Sequence, residues 1–165
     1  MAGSGRSRSI AIFMALALLG AGCGSGTHTT SMRTPVTSAR ALATKYLAIA
    51  RAGNRRLEDV FDPLEDRDRN NVPRADADLR SAAATERLFD RRLLAISFPP
   101  STERVARTLY AVNQVRARLT TAAAKSPSVP VLHEYQRELK VANIPVEQAV
   151  KEIRARLGLP PPPSS

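Results

Sequence analysis

Four stretches of the sequence place apolar or small side chains three or four residues apart, and proline-containing segments separate these stretches. The first stretch runs through Ala43, Leu47, Ala50, Leu57 and Phe61. Such spacing lines one face of an α-helix, whereas a half-buried strand would alternate apolar and polar residues, and no stretch does so. The pattern therefore predicts amphipathic helices that pack together to bury their apolar faces.

Prolines and polar turns set the expected bounds of these helices. We expect helices at 36–61, 75–98, 101–124 and 130–157, with Pro63 ending the first and the Pro99-Pro100 pair ending the second. Pro145 falls inside the fourth register and predicts a kink, and Gly158 predicts a C-terminal cap. Short connections between long helices favour an all-α, up-down-up-down four-helix bundle over residues 36–159, followed by a Pro-rich tail at 160–165.

The first 23 residues have the three parts of an export signal. Arg6 and Arg8 lie in a small polar segment, residues 10–19 are continuously apolar, and small residues then lead to Cys23. The apolar run is well short of the roughly 20 residues that a membrane-spanning helix needs. Cys23 is the single cysteine of the chain, so it cannot form an intrachain disulfide.

The segment Gly20-Ala21-Gly22-Cys23 resembles the lipobox of bacterial lipoproteins. The resemblance implies that residues 1–22 are a cleaved lipoprotein signal peptide and that Cys23 becomes the lipidated N-terminus, carrying acyl chains such as palmitate. It also implies a location on the extracytoplasmic face of the cell membrane. Two acyl chains anchor a protein stably where a single chain would be marginal.

The segment that follows, residues 23–35, is rich in Gly, Ser and Thr, which predicts a flexible tether after the lipidated Cys. Near the other end, Arg154-Ala155-Arg156-Leu157-Gly158-Leu159-Pro160-Pro161 resembles the ending of small all-helical lipoproteins of actinobacteria. That group is loosely defined and has no assigned activity. The resemblance therefore supports fold and location, and it implies no chemistry.

The formal net charge of +10 is an argument about partners. Four of the 25 basic residues are Lys, and an excess of Arg is most simply explained by a GC-rich genome. For an exported domain, the charge favours an envelope protein, an anionic envelope polymer or anionic lipid headgroups. We expect no nucleic-acid partner, because the sequence has no recognition motif for one.

Motifs for catalysis or cofactor binding are missing from the sequence. Neither His28 nor His133 follows a Glu at the spacing of di-iron bundles, so we expect no metal. Asp66, Asp68 and Asn70 begin like a calcium loop, but Ala77 stands where the bidentate Glu belongs. With no activated nucleophile and no phosphate loop either, we expect no cofactor and a protein that is not an enzyme.

Polar residues interrupt the apolar faces at similar heights. Asn54 lies between Ala50 and Leu57, and Glu86 lies between Ala82 and Phe89. Both would be roughly 12–16 Å from the turn that joins their helices, at 1.5 Å per residue, and Asn113 falls at a comparable height. We expect a polar layer across the core, with Glu86 largely buried and in contact with Asn54, Asn113 or a nearby Arg.

Two functions remain open for the chain. The first is a membrane-anchored, non-catalytic interaction module of the cell envelope, and the second is a domain that binds or senses a small ligand in the polar layer. A self-satisfied layer would only set helix register, as buried polar residues do in coiled coils. A layer with a cavity beside it would indicate a ligand pocket.

Overall fold

The computed structural model describes residues 38–66 and 68–162, which form four α-helices and no strand. The helices are α1 (Ala39–Glu65), α2 (Val72–Leu94), α3 (Pro100–Ala123) and α4 (Val129–Arg156). Successive helices pack against each other, as short connections require. The expected all-α four-helix bundle is confirmed. The signal peptide, Cys23 and the tether lie outside the described residues, as does the end of the tail from residue 163.

Helix α1 runs past the proline that was expected to end it. Ser38 caps the helix, accepting a hydrogen bond from the backbone N–H of Ala41, and the helix continues through Pro63 to Glu65. Pro63 removes only the donor that would bind the carbonyl of Asp59, and Asp59 is exposed to water. The prediction that Pro63 ends the helix was therefore wrong by two residues.

Helix α2 begins and ends earlier than its expected span of 75–98. Asn71 caps it by accepting from the N–H of Arg74 at 3.2 Å, and Pro73 sits in the first turn, where a missing N–H costs nothing. The helix ends at Leu94, four residues before Phe98, although the Pro99-Pro100 pair restricts only the residue immediately before each proline. Helices α3 and α4 start and end within one residue of the expected bounds.

The core has two apolar ends with polar side chains between them. We call the end where α1 begins and α4 finishes the entry end, and the opposite end the far end. At the entry end the buried cluster includes Tyr46, Leu93, Leu109 and Ile153. At the far end the buried cluster consists of Leu64, Ala75, Leu79, Ala123, Ala124, Leu132 and Leu139. The interruption between them lies where the sequence predicts the polar layer.

A Schellman motif closes α4, as the sequence predicts for Gly158. The N–H of Leu159 donates to the carbonyl of Arg154 at 2.9 Å, and the N–H of Gly158 donates to Ala155 at 3.1 Å. Gly158 has a φ of +65°, which glycine adopts without strain. The motif turns the chain back, so that Leu159 packs against the entry-end cluster.

Candidate functional site

Glu86 lies at the centre of the polar layer. Its side chain is buried, and Oε1 lies 3.1 Å from Nη2 of Arg116 on α3. The Thr120 hydroxyl, also on α3, lies 3.2 Å from Oε2 and donates to it. The sequence expectation that Glu86 is buried and touches a nearby Arg agrees with this geometry.

Arg116 extends the layer to α4 and to α1. Its Nη1 donates to Oδ1 of Asn143 at 3.0 Å, and Nδ2 of Asn143 donates to Oε1 of Glu147 at 2.6 Å. Its guanidinium carbon lies 6.0 Å from the centre of the Phe61 ring, within cation–π range. One buried side chain thereby contacts all three other helices.

Asn113 belongs to the layer but binds a different carboxylate. Its Nδ2 donates to Oδ1 of Asp90 at 2.8 Å, and Gln114 donates to the other oxygen of Asp90 at 2.6 Å. The same Nδ2 lies 3.5 Å from the backbone carbonyl of Glu86. Asn113 therefore joins α2 and α3 one turn closer to the entry end.

Asn54 is buried, as expected, but its amide nitrogen is not tied into the layer. Nδ2 of Asn54 has no hydrogen-bond partner among the described residues. An unmet buried donor costs about 1–3 kcal/mol of folding free energy. Asn54 therefore lies on the α1 side of the layer, and its Nδ2 remains an unsatisfied hydrogen-bond donor among the described residues.

Burial dominates the electrostatics of the two buried carboxyls. Burial raises the pKa of Glu86, and the attraction of Arg116 and the hydrogen bond from Thr120 offset part of that rise. Burial also raises the pKa of Asp90, against the hydrogen bonds from Asn113 and Gln114. Both carboxyls are closed to solvent, so neither can exchange a proton with a substrate unless the helices separate.

A second buried polar pair lies at the entry end, between α1 and α4. Tyr46 is 0% and Arg154 is 1% exposed. Arg154 Nε donates to the carbonyl of Pro160 at 2.6 Å, while Arg154 Nη1 and the Tyr46 hydroxyl have no partner among the described residues. Burial lowers the pKa of Arg154 and raises the pKa of Tyr46. Arg154 is a buried cation beside a phenol, and no carboxylate among the described residues forms a direct ion pair with it.

A shallow, solvent-open groove lies between α1 and α2. Its floor is mostly apolar, and Arg56 and Arg92 are exposed at its sides. The lining residues are Ile49, Ala52, Gly53, Arg56, Thr85, Leu88, Phe89 and Arg92. A Cβ at Gly53 would lie 3.9 Å from the Phe89 ring, an ordinary van der Waals distance, so the groove has room for a methyl group there.

Most partners in the two polar clusters were not predicted from the sequence. Arg116 and Thr120 follow Leu109 and Asn113 at spacings of four, three and four, so their position on the buried face is visible in the sequence. An Arg is ordinarily assigned to solvent, because its long side chain can reach water from most positions. Arg154 was missed for the same reason. The groove depends on how two helices pack, and periodicity alone does not predict it.

Comparisons with known proteins leave the site to be interpreted from its own geometry. The chain matches no protein-family model, no curated protein and no solved structure. Across residues 38–66 and 68–162, no helix has the length and apolarity to cross a bilayer. The same residues contain no group of three His, Cys, Asp or Glu side chains arranged to hold a metal ion.

Proposed function

We propose that this chain is a lipoprotein of the cell envelope, anchored through Cys23 on the extracytoplasmic face, that acts as a non-catalytic interaction module. The anchor rests on the signal-like segment that ends at Cys23 and on the resemblance of that segment to a lipobox. The interaction role rests on the α1–α2 groove. An apolar floor between exposed Arg side chains is what an amphipathic acidic segment needs for binding.

The buried polar layer supports a structural role rather than catalysis. Glu86 and Arg116 neutralise each other, and Thr120 and Asn143 use their remaining hydrogen-bonding capacity. A closed network of this kind specifies which helix faces meet. The groups that could recognise a partner are the exposed ones, above all Arg56 and Arg92.

Co-purification from gently solubilised membranes tests the proposal. A groove variant carries Gly53→Leu, Arg56→Glu and Arg92→Glu, and a matched control carries Arg118→Glu and Arg137→Glu on exposed faces of α3 and α4. We expect one stoichiometric acidic partner with the native chain and the control, and its loss with the groove variant and with Cys23→Ser. Equal recovery by the groove variant, or no partner in any sample, would contradict the docking role.

A small-ligand-binding domain is the second candidate, and the unpartnered Nδ2 of Asn54 favours it. A ligand with a carbonyl or hydroxyl oxygen beside the polar layer would satisfy that donor. A thermal-shift screen of the purified chain distinguishes this candidate from docking. A ligand that stabilises the native chain but not Asn54→Leu would support ligand binding, and a hit unaffected by Asn54→Leu would not.

A further inference from the structure

Charge is unevenly distributed along the bundle axis, and α1 shows this most clearly. All five basic residues of α1 precede all four of its acidic residues. The basic residues are Arg40, Lys45, Arg51, Arg55 and Arg56, and the acidic ones are Glu58, Asp59, Asp62 and Glu65. Because α1 begins at the entry end, its positive charge lies toward that end.

The other three helices add to the same end. Within about two turns of the entry end, the helices carry eight exposed basic side chains. These are Arg40, Lys45, Arg91, Arg92, Arg104, Arg107, Lys151 and Arg156. The acidic side chains that reach solvent there are Glu103 and Glu152, which pair with Arg107 and Arg156. The far end mixes both signs, including the acidic residues of α1.

Helix dipoles do not account for this distribution. Basic residues at a helix C-terminus are locally favourable, which could explain Arg91 and Arg92 on α2 and Arg156 on α4. Arg40, however, lies in the first turn of α1, where the dipole repels positive charge. Helix dipoles therefore leave part of the positive charge at this end unexplained.

An apolar side chain is exposed within the same surface. Leu94 ends α2 beside Arg91 and Arg92, and it is 46% exposed. Lipid interfaces accommodate this combination, because basic groups meet the headgroups while an apolar side chain enters the boundary of the acyl region. The entry end thus offers both kinds of contact on one surface.

We infer that the entry end is a docking surface for a bilayer rich in anionic lipids. The inference rests on the proposed anchor, because the chain from Cys23 enters α1 at Ser38, on this same end. A Gly/Ser/Thr-rich segment of that length has an r.m.s. reach of about 20 Å. That reach is shorter than the bundle, which 23 to 28 residues per helix make roughly 35–42 Å long. The anchor therefore keeps the basic end nearest to the headgroups.

Screening of charge by salt means that only basic residues close to the bilayer contribute to binding, so the entry end can be tested separately from the rest of the bundle. Exposed charges act over about 10 Å at 0.1 M salt, a fraction of the bundle length. Basic residues at the entry end would feel the headgroups, and exposed basic residues in the other half of the bundle would not. The two sets can thus be compared in matched variants.

Vesicle co-sedimentation of the mature chain, residues 23–165 with Cys23→Ser, tests the inference without a contribution from acyl chains or from the signal segment. The readout is the ratio of partition coefficients on phosphatidylglycerol-containing and pure phosphatidylcholine vesicles, which cancels apolar binding common to both. The entry variant combines R40Q, K45Q, R91Q and R104Q, and the control combines R55Q, R69Q, R118Q and R137Q. All eight positions are exposed, and each variant removes four charges.

We expect the entry variant to lower the ratio by at least about tenfold, since each basic residue near an anionic surface contributes about fivefold. The control should change the ratio by less than about twofold. An unchanged ratio in the entry variant, or an equal fall in both variants, would overturn the inference. The proposed partner is tested separately, because the entry variant retains Gly53, Arg56 and Arg92. Loss of co-purification would leave this vesicle result standing.

Discussion

The Glu86–Arg116 pair ties α2 to α3 in the middle of the bundle, where water cannot screen it. Both side chains are at most 6% exposed, and their charged atoms are 3.1 Å apart. Removing one partner of a buried pair leaves the other charge without compensation, while replacing both by apolar groups is often neutral. The contribution of the pair is thus conditional on both members being present.

We expect Glu86→Ala to lower the free energy of unfolding by about 3–5 kcal/mol, because Arg116 would remain buried and unpaired. Urea denaturation measures the change. Glu86→Leu combined with Arg116→Met should recover most of the loss. Glu103→Ala, which breaks the exposed pair with Arg107, is the control and should cost less than about 1 kcal/mol. Equal losses at positions 86 and 103 would contradict the structure.

Removal of the Tyr46 hydroxyl, unlike removal of the Glu86 carboxylate, should have little effect on stability. It is buried and has no hydrogen-bond partner among the described residues, so its removal breaks no bond. We expect Tyr46→Phe to change the free energy of unfolding by less than about 0.5 kcal/mol, or to raise it. A loss above about 1.5 kcal/mol in urea denaturation would mean that the hydroxyl has a partner, such as a bound anion or water shared with Arg154.

Replacing glycine by alanine should have opposite effects on stability inside a helix and just after its end. Gly158 has a φ of +65° in the Schellman motif, and Gly53 lies inside α1 with its nearest neighbour at 3.9 Å. We expect Gly158→Ala to cost about 1–2 kcal/mol, because the left-handed conformation strains any Cβ. Gly53→Ala should gain about 0.5–1 kcal/mol from helix propensity. Thermal unfolding of both variants checks the signs, and destabilisation by Gly53→Ala would mean that the groove does not accept a methyl group.

The helices themselves were predictable because apolar spacing and turn residues agree along the chain. Errors arose at prolines, where the sequence rule that a proline ends a helix ignores position. Pro63 is tolerated near the end of α1, and Pro73 is favoured in the first turn of α2.

The candidate site was predictable only in part. Glu86 could be predicted because it visibly interrupts an apolar helix face. Its partner Arg116 also interrupts an apolar face, but the pattern does not predict that an Arg is buried, because its long side chain can reach water from most positions.

The whole molecule should be more stable in mildly acidic than in neutral solution. Because burial raises the pKa of Asp90, whose hydrogen-bond partners Asn113 and Gln114 are neutral, the folded chain holds this proton more tightly than the unfolded chain. Above the ordinary carboxyl pKa of about 4, folding therefore takes up a proton, and the free energy of unfolding falls as the pH rises through the raised pKa of Asp90. Urea denaturation at pH 5 and pH 7.5 should show the higher value at pH 5.

Asp90→Asn provides the control for that pH dependence. The variant cannot ionise at this position, so the difference between pH 5 and pH 7.5 should shrink. A free energy of unfolding that rises between the two pH values in the native chain would show that Asp90 does not dominate the pH dependence.

The proposed docking surfaces act at a membrane only if Cys23 anchors the chain there. Intact-mass spectrometry of the native protein from the membrane fraction tests this anchoring. We expect a chain that begins at Cys23 and carries the mass of a diacylglyceryl group, with no such species from Cys23→Ser. A native chain that begins elsewhere, or one that begins at Cys23 without lipid, would contradict this anchoring.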